Sequence, residues 1–195
     1  MKSLFQNYIF YSIPNYIFSI LHIFKSKEYN YYITTTKEYL NNIALFFNLN
    51  HNLNNKLFTD LVAVDYLDRK YRFELIYNIL SLSYHHRVFL RVWTDELSSV
   101  PSLVNIYPSV NWFEREVWDL FGIHFSGNDD LRRILTDYGF HGHPMRKDFP
   151  LSGFTELYYS SSARLVCYRK ISLIQGYRYF NTLSPWNYFS SFFES

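Results

Sequence analysis

Four groupings of residues in this 195-residue chain have the types that chemistry needs. His141, Gly142 and His143 stand between Asp137 and Asp148, a set that could be drawn around a metal ion. Alternate histidines on a glycine-containing loop do not converge on one ion without a third, rigidly placed ligand, and the sequence shows neither that ligand nor a supporting partner, so no metal site is expected. Glu114, Glu116 and Asp119 offer carboxylates for proton transfer, but no nucleophile and no glycine-rich, cleft-forming loop accompanies them. Arg132, Arg133, Arg146 and Lys147 have the charge to hold phosphate, yet Asp129, Asp130, Asp137 and Asp148 interleave with them and cancel the field at a distance. The single cysteine, Cys167, excludes an internal disulfide, an iron–sulfur cluster held by this chain alone and any all-cysteine zinc site. GxGxxG, P-loop, HExxH and CxxC patterns are all missing, so no catalytic, cofactor-binding or metal-ligating residue is expected.

Nearly all of these residues fall within residues 109–153, and the elements there must position them. From Val110 the apolar residues Phe113, Val117, Leu120 and Phe121 recur at helical spacing, with Glu114, Arg115, Glu116 and Asp119 on the remaining circumference. Asn111 followed three residues later by Glu114 predicts a capping arrangement, and Gly122 a left-handed stop, which makes a helix of about three turns. Its polar side also carries Trp112 and Trp118, so it is either a solvated face with half-buried indoles or a docking face. Beyond it, a short helical turn is expected at 131–135. After Asp137 some fifteen residues have no regular period, being broken by Gly139, Gly142, Pro144, Pro150 and Gly153. Structureless stretches of that length inside a compact domain are usually functional or disordered. Four acids balance four bases here, and Tyr138, Phe140, Phe149 and Leu151 supply anchors, so an arm that orders against a partner is expected.

The rest of the chain reads as a frame for that stretch. Residues 29–36 are strand-like, and 37–48 form an amphipathic helix with Leu40, Ile43, Ala44 and Phe47 inward. Three strands follow at 57–66, 71–81 and 87–93, joined at hairpin length into an antiparallel meander whose Val62, Val64, Phe73, Leu75, Ile79, Val88, Leu90 and Val92 face the helices. A helix is expected at 97–106 with Pro101 in its first turn, and a last hairpin at 154–159 and 164–168. Residues 4–24 are the most apolar stretch, but Gln6, Asn7, Pro14, Asn15 and His22 interrupt it. An amphipathic or partner-docked helix is therefore favoured over a membrane span.

These elements predict an α+β fold: a two-layer sandwich, mainly antiparallel sheet with helices on one face, plus a long C-terminal extended docking arm. The expected division is a helical extension at 1–28, the core at 29–125, and the docking arm and tail at 126–195. A net charge of +2 with 18% charged residues leaves no nucleic-acid footprint by itself. Aromatics at 22%, with abundant Asn, Ile and Lys, fit A/T-biased codons and hint at an organelle gene.

EREVWDLFGI, DLRRILTDYGF and GHPMRKDFPLSG stand in an order and spacing that resembles the thirty-kilodalton subunit family of respiratory complex I, known as NADH dehydrogenase subunit nine in organelle genomes and as the C-type subunit in bacterial NADH-quinone oxidoreductase. The resemblance extends upstream through VAVDY, YRFELIYNIL and RVFLRVWTDE and downstream to Ser184-Pro185-Trp186. It departs from the family at Asn128-Asp129 and at Gln175-Gly176-Tyr177-Arg178. What it implies is a non-catalytic structural and assembly subunit of the peripheral arm, on the matrix side of the mitochondrial inner membrane. Such a subunit docks chiefly on the quinone-site subunit of the forty-nine-kilodalton type and on neighbouring iron–sulfur subunits. FMN, iron–sulfur clusters and ubiquinone then belong to the complex and not to this chain. By that analogy Glu114, Arg115, Glu116, Asp119, Arg132, Arg133, Asp137, Tyr138, Arg146, Lys147 and Asp148 are partner-interface candidates, and Gly122, Gly139, Gly142, Pro144 and Pro150 shape the backbone. The competing readings are an RNA- or ribosome-associated protein, from the basic pI and the aromatics interleaved with Arg, and a metal-dependent hydrolase using the histidine loop.

Overall fold

The computed structural model describes residues 22–25 and 30–180. The sheet is built from strands whose odd and even residues part company. In β4 (Phe73–Ser81), Phe73, Leu75, Tyr77 and Ile79 point inward and are fully buried, and β5 (His86–Thr94) does the same with Val88, Leu90 and Val92. Each such side chain contributes roughly 1.5–3 kcal/mol on burial. With β1 (His22–Lys25), β2 (Asn30–Thr35) and β3 (Leu57–Asp65) they form one five-stranded sheet in the order β1-β2-β5-β4-β3. β3, β4 and β5 are the expected antiparallel meander, whereas β2 lies parallel to β5. The expected α+β sandwich is observed. After a 3-10 turn at Lys37–Tyr39, α1 (Leu40–Leu49) places Leu40, Ile43, Ala44 and Phe47 in the core, the four residues its spacing predicts.

Three expectations need correction. In β3 the inward residues are Leu61, Ala63 and Asp65, not Val62 and Val64, because a register shift between Phe58 and Asp60 lets Phe58 and Leu61 both face the core. The helix expected at 97–106 does not form. Val100–Pro101 is instead a two-residue strand, β6, whose flanking amides donate outward: Val100 N to His124 O at 2.9 Å and Ser102 N to Ser126 O at 2.9 Å. Pro101 has no N–H to give a helix, and an edge position suits it. The predicted N-terminal helix lies mostly outside the described residues, and the described part of it, His22–Lys25, is strand β1.

The charged helix is α2 (Val110–Phe121), followed by a two-residue strand, β7 (Phe125–Ser126), parallel to β6. The contacts divide the chain into two compact units, at Phe149/Pro150. Residues 126–149 thus belong with the sheet and helices, although the sequence pattern assigns them to the arm. The second unit contains the expected hairpin, β8 (Thr155–Ser160) and β9 (Leu165–Lys170), in which no side chain is buried.

Candidate partner-docking site

α2 has no side-chain cap at its N-terminus; Ser109 is the cap residue and the expected Asn111/Glu114 box is not made. Glu114 is spent elsewhere. It is wholly buried, with Oε1 accepting from Leu103 N at 2.9 Å and Oε2 from Ser102 Oγ at 2.7 Å and Asn128 Nδ2 at 2.8 Å. Burial pushes its carboxyl above the usual range, and those three donors pull it part of the way back. One carboxylate thereby ties α2 to the loop before it and to the segment after β7.

Asp119 does the same one turn further on. Its Oδ2 accepts from the backbone N–H groups of Ile134 (3.3 Å), Leu135 (2.7 Å) and Thr136 (2.8 Å). Its Oδ1 accepts from Arg133 Nη1 at 2.9 Å and Thr136 Oγ1 at 2.5 Å. Burial alone would raise its pKa, but the donors from Thr136, Leu135 and Arg133 outweigh it and hold the carboxyl down at about 2. Those amides are the ones that the expected helical turn at 131–135 would have used. The turn is not formed, because an ionised carboxylate with this many donors is a stronger acceptor than the i−4 carbonyls of an isolated turn.

The C-terminus of α2 is closed by the same segment. Its last four carbonyls lack intrahelical donors in principle, and each is met here. Gly122 N donates to Trp118 O at 2.9 Å, His143 Nδ1 lies 3.1 Å from Asp119 O, Met145 N donates to Leu120 O at 3.1 Å, and Arg146 Nε donates to Phe121 O at 2.6 Å. Arg133 and Arg146 set positive charge at the negative end of the helix. Gly122 is left-handed at φ +74°, and a Cβ there would stand 2.5 Å from His143 Nε2. Gly142, at φ +109°, would press a Cβ to within 2.8 Å of the Phe149 ring, while Gly139 is left-handed in open space.

A second cluster anchors the far end of the segment. Arg72, just before β4, donates Nε to Asp65 Oδ1 at 2.7 Å and Nη2 to Asp65 Oδ2 and Asp148 Oδ1, both at 2.9 Å, and it also pairs with Glu96. Asp65 accepts from Lys147 N at 2.9 Å as well, and its carboxyl is held below the usual range chiefly by Arg72. Sequence reasoning missed Arg72, Asp65, Glu96, Ser102, Asn128 and Thr136. Asp65 alone had a signal, since it continues the inward phase of Leu61 and Ala63 once the bulge is recognised.

The eleven interface candidates therefore separate. Glu114, Arg115 and Asp119 are buried within the chain, so this part of the polar side of α2 is not free to dock, whereas Trp112 and Glu116 on the same helix stay exposed. Arg115 donates Nε to Arg132 O at 3.2 Å and lies 5.0 Å from the Trp112 ring centroid. Arg133, Arg146 and Asp148 are engaged with their own chain as described. Glu116, Arg132, Asp137, Tyr138 and Lys147 remain at the surface, Arg132 paired with Asp130 at 2.8 Å. Trp112 is 63% exposed and Tyr138 98%, and residues 132–139 line an open groove of about 540 Å³. Pro144 is half-buried and Pro150 exposed. Among the described residues no three His, Cys, Asp or Glu side chains are grouped so as to hold a metal ion. Cys167, on β9, is the chain's one thiol and cannot by itself supply the thiolates of an iron–sulfur cluster.

The conspicuous ionic residues of this α+β sandwich thus bind its own loops into a fixed, partly apolar surface. A model of the family "Respiratory-chain NADH dehydrogenase, 30 Kd subunit" matches residues 33–155, and the chain belongs to that family. It is 54% identical over 127 residues to the NADH-quinone oxidoreductase C-type subunit of Roseobacter denitrificans, covering 65% of this chain and 64% of that protein, so it spans less than two thirds of that relative's length. It is 41% identical over 186 residues to NADH-ubiquinone oxidoreductase subunit 9 of Prototheca wickerhamii, covering 95% of each. Among solved structures it is similar to a trypsin-resistant fragment of Nqo5, with a TM-score of 0.51 and 29% identity over 57% of this chain and 89% of that one. The RNA- or ribosome-associated reading finds no support in these relatives.

Proposed function

We propose that this chain is a core structural subunit of the peripheral arm of NADH:ubiquinone oxidoreductase, docked on the quinone-site subunit of the forty-nine-kilodalton type and on neighbouring iron–sulfur subunits. It supports electron transfer from NADH to ubiquinone by holding that arm together, with no reacting group of its own, while FMN, the clusters and ubiquinone sit in its neighbours. Its place is the matrix side of the mitochondrial inner membrane, reached through the complex; among the described residues no helix is long and apolar enough to cross a membrane. The observation that carries the proposal is the exposure of Tyr138, on a segment whose backbone is pinned at Asp119 and Asp65, and of Trp112 on the neighbouring helix α2. A flexible loop would be free to turn such residues inward. A pinned one presents them, with Glu116, Arg132, Asp137 and Lys147 as a mixed-charge rim, and binding then costs little ordering entropy.

Mixed charge also selects the partner, since a wrong register leaves unpaired ions at about 2–5 kcal/mol each when desolvated. The test is the triple change Arg132→Ala, Asp137→Ala and Tyr138→Ala, in a tagged chain expressed in its organelle. The assembled complex on native gels should fall at least tenfold while the purified chain keeps its unfolding midpoint. Assembly at the unchanged level would refute the docking surface, and isolation of the tagged wild-type chain without NADH dehydrogenase subunits would refute the assignment itself.

A further inference from the structure

The two ends of the five-stranded sheet are unlike. At one end the Phe73 and Phe121 rings meet with centroids 6.3 Å apart, and Asp65 holds the segment that carries the proposed docking surface. At the other, where Phe58 meets Phe113 at 5.6 Å, the register sets Leu57, Leu80 and Arg87 side by side on the sheet face away from the core, since their neighbours Phe58, Ile79 and Val88 are the buried ones. Leu82 and Tyr84 follow in the β4–β5 turn, and Asn54 Nδ2 donates to Ser83 Oγ at 2.7 Å, which ties that turn to the loop between α1 and β3. Leu57, Leu82 and Tyr84 are 40, 63 and 55% exposed, and Leu49 at the end of α1 is 62% exposed. Together these four expose on the order of 400 Å² of mainly apolar surface, as much as the largest patch on an ordinary monomer. Charge narrows the choice of occupant. Residues 39–59 and 75–94 contain no Asp or Glu. Lys56 and Arg87 are exposed at this end, the Lys56 amine donates to Asn48 Oδ1 at 3.0 Å, and among the described residues neither cation pairs with an acid. A second copy would bring like charge to like charge, and two bases among leucines are too few for a nucleic-acid backbone. A segment whose carboxylates flank apolar residues meets both features.

We infer that this end of the sheet is a second docking surface, which takes an acidic, amphipathic segment of a partner subunit with its carboxylates on Lys56 and Arg87 and its apolar side over Leu57, Leu82 and Tyr84. This rests on the chain being a subunit of the proposed assembly, and not on the Tyr138 surface. The nine residues of β3 put roughly 27 Å between the two ends, so a chain that docks at both joins two contacts across its own sheet.

The experiment compares the purified full chain with the isolated complex, mapped by peptide mass spectrometry. Acetylation of the Lys56 amine should be at least tenfold slower in the complex, and a water-soluble carbodiimide, which joins an amine to a carboxylate only where the two touch, should link Lys56 to an Asp or Glu of another subunit. Equal acetylation in both states would overturn the inference, as would a link to a second copy of this chain. As a second arm, Lys56→Glu with Arg87→Glu should cut incorporation into the complex at least tenfold with the circular dichroism of the purified chain unchanged; unaltered incorporation would count against it. Vesicles of phosphatidylglycerol and phosphatidylcholine supply the last control: a chain that binds them through Lys56 and Arg87, with Lys56 still reactive in the complex, would give this end to a lipid surface and overturn the inference. A chain never found in the complex sinks the assembly reading, whereas a chain found there with a freely reactive Lys56 sinks only this second surface.

Discussion

Replacing Asp119 by Asn preserves shape and removes charge, and its cost can be worked from the geometry. The carboxylate accepts five hydrogen bonds, two from Thr136 and one each from Arg133, Ile134 and Leu135. An amide has one acceptor oxygen. Whichever way it is turned, its NH₂ faces donors: either the three backbone N–H groups or the Arg133 guanidinium and the Thr136 hydroxyl, of which only the hydroxyl can rotate to accept. Leaving a buried donor unmet costs ~1–3 kcal/mol and stranding a partly buried guanidinium more, so the change should cost about 3–4 kcal/mol at neutral pH. The titration gives an independent figure. Each pKa unit is worth ~1.4 kcal/mol, so holding the carboxyl at about 2 instead of 3.8 contributes on the order of 2–3 kcal/mol.

The sign follows from the direction of that shift. A carboxyl whose folded pKa is depressed stabilises above its unfolded value and loses that contribution as pH falls through the folded one. Wild type and Asp119→Asn should therefore differ fully above pH ~5, and part of the gap should close between pH ~4 and ~2. Urea unfolding across that range measures it, with amide exchange at residues 134–136 as the local readout. Those amides should lose protection at neutral pH even where the sheet stays folded. A loss below ~0.5 kcal/mol, the scatter of an ordinary surface substitution, with unchanged exchange at 134–136 would refute the reasoning, since it would mean that the segment is held by something other than this carboxylate.

Gly122→Ala should destabilise by ~1–3 kcal/mol in denaturant titration, because the Cβ meets His143 and the backbone is left-handed, whereas Gly139→Ala, equally left-handed but in open space, should cost only about 1 kcal/mol. Arg72→Met leaves Asp65 buried without its bidentate partner; a loss of ~3–5 kcal/mol is expected, with protease sensitivity appearing at residues 146–148, where Asp148 and Lys147 are tethered to the same cluster. Glu114 should behave oppositely to Asp119 in acid. Its pKa is raised by burial, so its contribution to stability is fully present below the ordinary carboxylate value and is lost as pH rises through the folded one; in urea unfolding the stability of wild type relative to Glu114→Gln should therefore fall as pH rises above the ordinary carboxylate value.

What could be read from the chain and what could not divides by the range of the interaction responsible. β4 and β5 were legible because alternation is written residue by residue, and the Leu40, Ile43, Ala44, Phe47 stripe because its spacing is too. Gly122 was legible because a left-handed stop needs no distant partner. The phase of β3 was hidden by a bulge that only the pairing with β4 reveals. The polar side of α2 was misread for a more general reason: periodicity marks apolar residues as the buried ones, and it has no way to mark a carboxylate whose donors lie elsewhere. Asp119 is buried by groups 14 to 17 residues further on, Asp65 by one 82 residues away. The balanced charge of residues 129–148, which suggests an arm awaiting a partner, is largely internal pairing that fixes the segment's shape. The docking proposed for its surface falls to the residues that stay exposed, Tyr138 above all. An interface search from sequence in such a segment should therefore weigh Trp112 and Tyr138, which have no ionic partner to find, above the acids and bases around them.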